Sequence, residues 1–222
     1  MNFIMYTDLW VMFCTLVGMI YGLITLQRKT TPLFARMICW AVVCTFFARF
    51  FLVVYHLIHR MYDFNINIGT LGILGGILFL LSANYGQIDR LVDDRKRKMW
   101  KTRLIAMLGP LVILGLFGYF FWLWYGLDLA GIVNMAIITI FILPAIYYNL
   151  KHAIIYDVKG GIVRSLRLYN ICAVLYELMV MVEFITFRIG LFEIYTGAMV
   201  VQGILILLIL PVVRGGVKKW TT

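Results

Sequence analysis

Apolar residues run along this chain in blocks of about twenty, and polar and charged residues collect between the blocks. A helix needs about 20 mainly apolar residues to cross a hydrocarbon core about 30 Å thick. Seven stretches have that length: 8–27, 35–58, 66–87, 104–126, 130–150, 167–189 and 193–213. They lack two-residue alternation and are far longer than barrel strands, which argues against a β-barrel. The pattern predicts an all-α integral membrane protein, a seven-helix bundle forming one membrane domain over the 222 residues. The connections are too short to hold a separate soluble domain.

Composition agrees: 64% of residues are hydrophobic and 14% charged, against about 45–50% and about 25% in soluble domains. Charge then gives the bundle a direction. Arg28, Lys29 and Arg36 lie in or beside the first connection; Arg90, Arg95, Lys96, Arg97, Lys98, Lys101 and Arg103 in the third. Lys151, Lys159, Arg164 and Arg167 flank the fifth, and Arg214, Lys218 and Lys219 follow the last block. Only Arg49, Arg60 and Arg188 fall elsewhere. Lys and Arg mark cytoplasmic loops, so the N-terminus is expected outside and the C-terminus in the cytoplasm. Trp10, Trp122, Trp124 and Tyr125 are expected at the outer interface, and Trp100 and Trp220 at the inner one. The net charge of +10 thus reports topology and allows contact with anionic lipid. Nucleic acid is not an expected partner, because Asp89, Asp93 and Asp94 dilute the densest basic cluster, "DDRKRKMWKTR" and its approach. "MNFIMYTD" lacks the basic region of a secretory signal, so the first block is expected to remain as a helix of a multi-pass plasma-membrane protein.

Within the blocks, Pro110, Pro144 and Pro211 each remove a backbone donor and are expected to kink their helices. "RKTTPLFAR" offers Thr31 as N-cap and Pro32 at the first helical position of the second span. In "IGTLGILGGILFLLSANYG", Gly72, Gly76, Ala83 and Gly86 keep small residues near one face, the pattern of close helix packing in lipid. This places the third span at the centre of the bundle. Its polar end (Ser82, Asn84, Tyr85, Gln87, Asp89) is expected to hydrogen-bond neighbouring helices or to line a vestibule.

Ionisable residues inside the blocks carry the candidate chemistry. A charge at the helix centre costs about 2.5–3.5 kcal/mol on insertion scales, so such groups face protein or water and find partners. "CTFFARFFLVVYH" puts Arg49 about 21 Å above the cytoplasmic start of its span, between Glu177 at about 18 Å and Glu183 at about 27 Å in "LYELMVMVEF". A bidentate Arg–carboxylate pair is the natural arrangement. Thr45, Arg49 and His56 form a polar stripe; Asn170 and Glu177 share one face of the sixth span, Tyr176 and Glu183 another. One acid is therefore expected to pair with Arg49 while the other lines a cavity. Three readings stand: a pair that fixes helix register, a polar pocket for a small ligand or ion, and a proton relay.

Other chemistries lack their residues. Cys14, Cys39, Cys44 and Cys172 lie singly inside spans and read as small hydrophobes. His56, His59 and His152 are too few and too scattered for a zinc hydrolase, so no metal site is expected. Lys218 and Lys219 lie beyond the last span, where no retinal lysine would be, and no nucleophile–base pair is evident. Neither an enzyme nor a cofactor is expected. Asp89–Arg90 at the end of the third span reads as a helix-end pair.

"LSANYGQIDR", with the helix count, the length and the outside N-terminus, resembles the seven-helix sensor regions that precede bacterial histidine kinases. The sequence closes on "GGVKKWTT" with no kinase following, so the resemblance implies sensing through a partner protein, contacted by the basic loops. The reading is a receptor-like or regulatory membrane protein that binds a small ligand in a polar intramembrane pocket. The alternatives are a small permease or proton-coupled transporter, and a structural subunit of a membrane complex.

Overall fold

A computed structural model describes residues 2–59, 66–89, 99–155 and 162–221, with backbone alone for 2, 3, 162, 163, 220 and 221. Seven long helices account for nearly all of them: α1 (Asn2–Leu26), α2 (Leu33–His59), α3 (Ile68–Leu81, continued by a π-helical turn Ser82–Ile88), α4 (Trp100–Trp124), α5 (Leu129–Ile154), α6 (Ile162–Arg188) and α7 (Phe192–Thr221). All seven are long and apolar enough to cross a membrane. Arg60, Arg90, Asp93, Asp94, Arg95, Lys96, Arg97, Lys98 and Lys159 lie outside the described residues, as does the side chain of Trp220.

Six helices close a ring. α1 packs on α2, α2 on α3, α3 on α5, α5 on α6, α6 on α7, and α7 returns to α1. α4 lies outside it, mainly against α5, and is the least buried span. Its lipid-side residues are large and apolar, Leu104, Leu108, Leu111 and Trp122 among them. Two of the tight connections carry a glycine with left-handed backbone, Gly126 (φ 79°) after α4 and Gly190 (φ 78°) after α6. The second closes α6 through hydrogen bonds from Gly190 N to Phe187 O (3.1 Å) and Leu191 N to Thr186 O (2.9 Å).

Some helix limits differ from those expected, and the prolines act differently from one another. α1 begins at Asn2, before the expected residue 8, and Asp8 is buried within it. α7 runs on to Thr221, past the expected end at residue 213, with Lys218 and Lys219 in its last turn, where positive charge suits the helix dipole. α2 starts at Leu33, where the Pro32 carbonyl accepts from Ala35 N and Arg36 N. α4 is interrupted at Met107: Pro110 has no N–H to offer the carbonyl of Ala106, and the helix breaks one residue later. Pro144 and Pro211 sit within helices that continue past them without a break.

α3 is not the central helix; it holds one place in the ring, and α6 is the most buried span. Its small residues still set how closely it meets α2. A Cβ at Gly72 would lie 2.8 Å from Ala48 Cβ, and one at Gly76 would lie 2.7 Å from Thr45 Oγ1 and 3.0 Å from the Ala41 carbonyl. Ala83 is buried, but Gly86 does not join this contact, having nothing within 4 Å of its Cβ position. The π turn is the reason: its wider i to i+5 winding shifts the face that 3.6-residue spacing extrapolates. Gly76→Leu should therefore lower stability by about 1–3 kcal/mol through overpacking against α2. Gly86→Ala should stay within about 0.5 kcal/mol of the parent, as open sites do. Unfolding of the purified variants in detergent measures both.

Candidate functional site

Among the described residues, two polar networks lie inside the ring, one toward the N-terminal end of the bundle and one toward the basic end, with α6 in both. The first is built on Arg49, which is fully buried. It donates from Nη1 to Glu183 Oε1 (2.6 Å) and from Nη2 to Glu183 Oε2 (2.5 Å), the parallel fork that matches guanidinium to carboxylate. Nη2 also donates to Gln202 Oε1 (2.9 Å), while Gln202 Nε2 donates to Glu183 Oε2 (2.8 Å) and to the Met179 carbonyl (3.1 Å). Asp8 Oδ1 stands 3.6 Å from Arg49 Nη1, within ion-pair range but beyond a hydrogen bond. Arg49 Nε has no acceptor among the described residues. α1, α2, α6 and α7 each give one side chain, so the cluster ties four helices together around one cation and two acids.

Below it, Tyr176 on α6 brings its hydroxyl 3.5 Å from that of Thr45 on α2, and Thr45 donates back to the Ala41 carbonyl (2.9 Å). His56 is buried on the same stripe, seven residues and about two turns beyond Arg49. Asn170 stays with its own helix, donating to the Leu166 carbonyl (3.1 Å).

The second network is a chain of side chains. Glu177 Oε1 accepts from Asn149 Nδ2 (2.6 Å), and Asn149 Oδ1 accepts from Asn84 Nδ2, which also lies 3.3 Å from the Tyr169 hydroxyl. Asn84 Oδ1 is 3.0 Å from His152 Nδ1, and His152 Nε2 is 3.0 Å from Asp89 Oδ1. Lys151 Nζ donates to the same Asp89 oxygen at 2.6 Å. Glu177, Asn149, Asn84 and His152 are fully buried, and Asp89 keeps 19% of its side chain exposed at the basic end. The π turn makes this chain possible. It closes through Asp89 N on the Asn84 carbonyl and turns both Asn84 and Asp89 toward α5.

The structure thus divides the predicted site. Arg49 pairs with Glu183 and not with Glu177, whose carboxyl is held by an amide and does not line an open cavity. Sequence reasoning does not single out Asp8, Gln202, Asn149 or His152 as site residues. The only signal each gives is a lone polar residue in or beside an apolar run, as in "GAMVVQGILILL" and "AIYYNLKH". A further pair outside the predicted site closes the N-terminal end of the bundle. Asp128 caps α5 by accepting from Gly131 N (2.9 Å) and forms an ion pair with Arg188, whose guanidinium lies 5.5 Å from the Trp124 ring. Among the described residues no three His, Cys, Asp or Glu side chains are grouped to hold a metal ion.

Burial alone would raise the Asp89 carboxyl, but hydrogen bonds from His152 and Lys151 and their positive charge outweigh it and hold it below the usual carboxylate range. A depressed carboxyl stabilises the fold above its unfolded pKa, about 3.9, and that contribution is lost as pH falls through the folded value. The stability difference between the parent and Asp89→Asn should be full at neutral pH and vanish at strongly acid pH. Thermal unfolding in detergent across that range checks it.

The ring, its apolar exterior and its enclosed polar networks define the class: an all-helical, multi-pass, seven-helix membrane protein. No protein-family model, curated protein or solved structure matches the chain.

Proposed function

We propose that the protein is a receptor-like regulatory protein of the plasma membrane, not an enzyme, in which a small ligand reaches the Arg49 cluster from outside and α6 carries the effect to the cytoplasmic side. The observation that carries this reading is the position of two acids on one helix. Glu183 sits in the four-helix cluster, and Glu177 ends the chain that leads to Asp89. Six residues, about 9 Å along the axis, separate them. A change at one must be felt at the other if α6 shifts or turns. Two discrete sites joined by one rigid element are what an allosteric device requires.

The chemistry of the cluster narrows the ligand. One guanidinium faces two carboxyls, and Asp8 stands further from it than Glu183 does. Those carboxyls suit a small cation, a protonated amine or a proton, which would meet the cluster at Asp8 and Glu183. The output would be the basic inner surface, read by a partner protein as the likeness to kinase sensor regions implies. A second reading, a proton-coupled carrier, is favoured by one observation: the hydrogen-bonded chain from the partly exposed Asp89 to the buried Glu177.

Proteoliposomes separate the two. Spin labels at the exposed Leu33 on α2 and Leu168 on α6, in a background lacking the native cysteines, report the spacing of the inner helix ends. The probes are stepwise external acidification and added ethylammonium. The receptor reading expects a change in label distance with no net solute or proton flux, and loss of the change in Glu183→Gln. Flux that disappears in Glu183→Gln overturns it in favour of the carrier. Neither distance change nor flux overturns both and leaves a structural subunit.

A further inference from the structure

The chain from Glu177 to Asp89 has a donor–acceptor direction, and the direction can reverse. We propose that Glu177 and His152 form a binding site for one shared proton, whose position is set by the orientation of the amides of Asn84 and Asn149. This deepens the reading above by assigning what α6 delivers to the cytoplasmic side, and it rests on that reading for its purpose, though not for its chemistry.

An amide offers a donor at one end and an acceptor at the other, and either end fits the same outline. In the first arrangement Glu177 is a carboxylate and accepts from Asn149 Nδ2. Asn149 Oδ1 then accepts from Asn84 Nδ2, which leaves Asn84 Oδ1 facing His152 Nδ1. That nitrogen must carry a proton to pair with it. On the far side of the ring Nε2 faces Asp89 Oδ1, an acceptor, and must carry one too. The first arrangement therefore holds an imidazolium. In the second, both amides turn by half a turn. Glu177 Oε1–H donates to Asn149 Oδ1, Asn149 Nδ2 donates to Asn84 Oδ1, and Asn84 Nδ2 donates to a bare His152 Nδ1. Tyr169, whose hydroxyl can serve as donor or acceptor, follows by donating to Asn84 Oδ1.

The count closes. An N–H bond at His152 Nδ1 is lost and an O–H bond at Glu177 Oε1 is formed, with Nε2–H on Asp89 unchanged. The amides reverse and keep their own protons. The other combinations fit less well. With both groups protonated and the amides in the first orientation, the Glu177 proton is left on Oε2, which has no partner among the described residues. With neither protonated, a bare Nε2 faces the Asp89 carboxylate. The two matched arrangements differ by one positive charge moved between the basic end, beside Lys151, and the membrane interior. Glu177 lies on the helix that also carries Glu183, so a charge change in the Arg49 cluster biases the choice.

Among the described residues, few groups face this pair. Around Glu177 stand Tyr169 and Tyr176 of its own helix and Asn149 of α5, while α7 passes with "ILILLILPVV" and Arg49 of α2 is engaged by Glu183. Around His152 stand Asp89 from the end of α3, and Lys151 and Tyr148 of α5, with Tyr85 behind Tyr148. The inner end of α4, with Lys101 and Arg103, packs against α5.

Infrared titration of the purified protein tests this without a ligand or partner. Glu177→Gln and histidine isotope labelling assign the carboxylic C=O and imidazolium bands. Groups that share a proton titrate as a pair, so both bands should change in both of two steps. Asp89→Asn, which removes the negative charge facing Nε2 and leaves only a neutral amide oxygen there, should shift the proton toward Glu177 and strengthen its C=O band. Asn84→Leu cuts the chain: each band should then titrate in one step of its own and the response to Asp89→Asn should be lost. Asn149→Leu makes the same cut should the first variant fail to fold. Independent titration in the parent, or a Glu177 band indifferent to Asp89→Asn, overturns the proposal. That result leaves the receptor reading standing, because label distances report α6 movement separately.

Discussion

Arg49→Met should lower the stability of the bundle by about 3–5 kcal/mol, the range for removing one partner of a buried ion pair. The loss is large because Glu183, Gln202 and Asp8 all turn to the same guanidinium, deep inside the ring. Glu183→Leu should cost a similar amount by leaving the cation with Asp8 at 3.6 Å and an amide oxygen. The double variant should lose clearly less than the sum, because an apolar pair needs no counter-charge. It should not reach the parent, since Asp8 keeps a buried carboxyl and Gln202 an unmatched oxygen. Denaturation of the four proteins in detergent gives the coupling directly. Full additivity would show that the fork at 2.5–2.6 Å contributes nothing to holding α2 against α6.

The second large effect is expected in the other network. Asn149→Leu should cost up to about 3 kcal/mol, the upper end for a buried polar group stripped of its partner. It strips two at once: Glu177 Oε1 loses its donor and Asn84 Nδ2 its acceptor. Glu177→Leu alone should cost less, since it removes the acid along with its demand. Asn149→Leu with Glu177→Leu should recover part of the first loss, as paired apolar replacement does. If Asn149→Leu matched the parent, the chain would not be closed in the folded state.

Much of this molecule is legible in the order of its residues. Seven spans follow from block length alone, because hydrocarbon leaves a helix no other way to satisfy its backbone. The polar exit of the third span, "LSANYGQIDR", reads as a contact region, and Asn84 and Asp89 do bond across to α5. Arg49 reads as an ion that needs a counter-ion. Its choice between Glu177 and Glu183 does not, since both lie within reach of so long a side chain. Asp8 escapes the reading because an acid near the start of an apolar block looks like its boundary; a cation from α2 makes the interior tolerable for it. Gln202 and Asn149 give too little signal, each a single amide in an apolar stretch.

Local physics governs the chain one block at a time: apolar length sets the spans, proline breaks α4, and positive charge marks one end. Those effects act within a helix or at its ends, so composition and order suffice to read them. Which helix neighbours which, which acid meets the guanidinium, and how one π turn aims Asn84 and Asp89 at α5 depend on contacts between residues far apart in the chain. Two polar groups in separate spans carry no mark of each other in sequence, and only the packed ring brings them within hydrogen-bond distance.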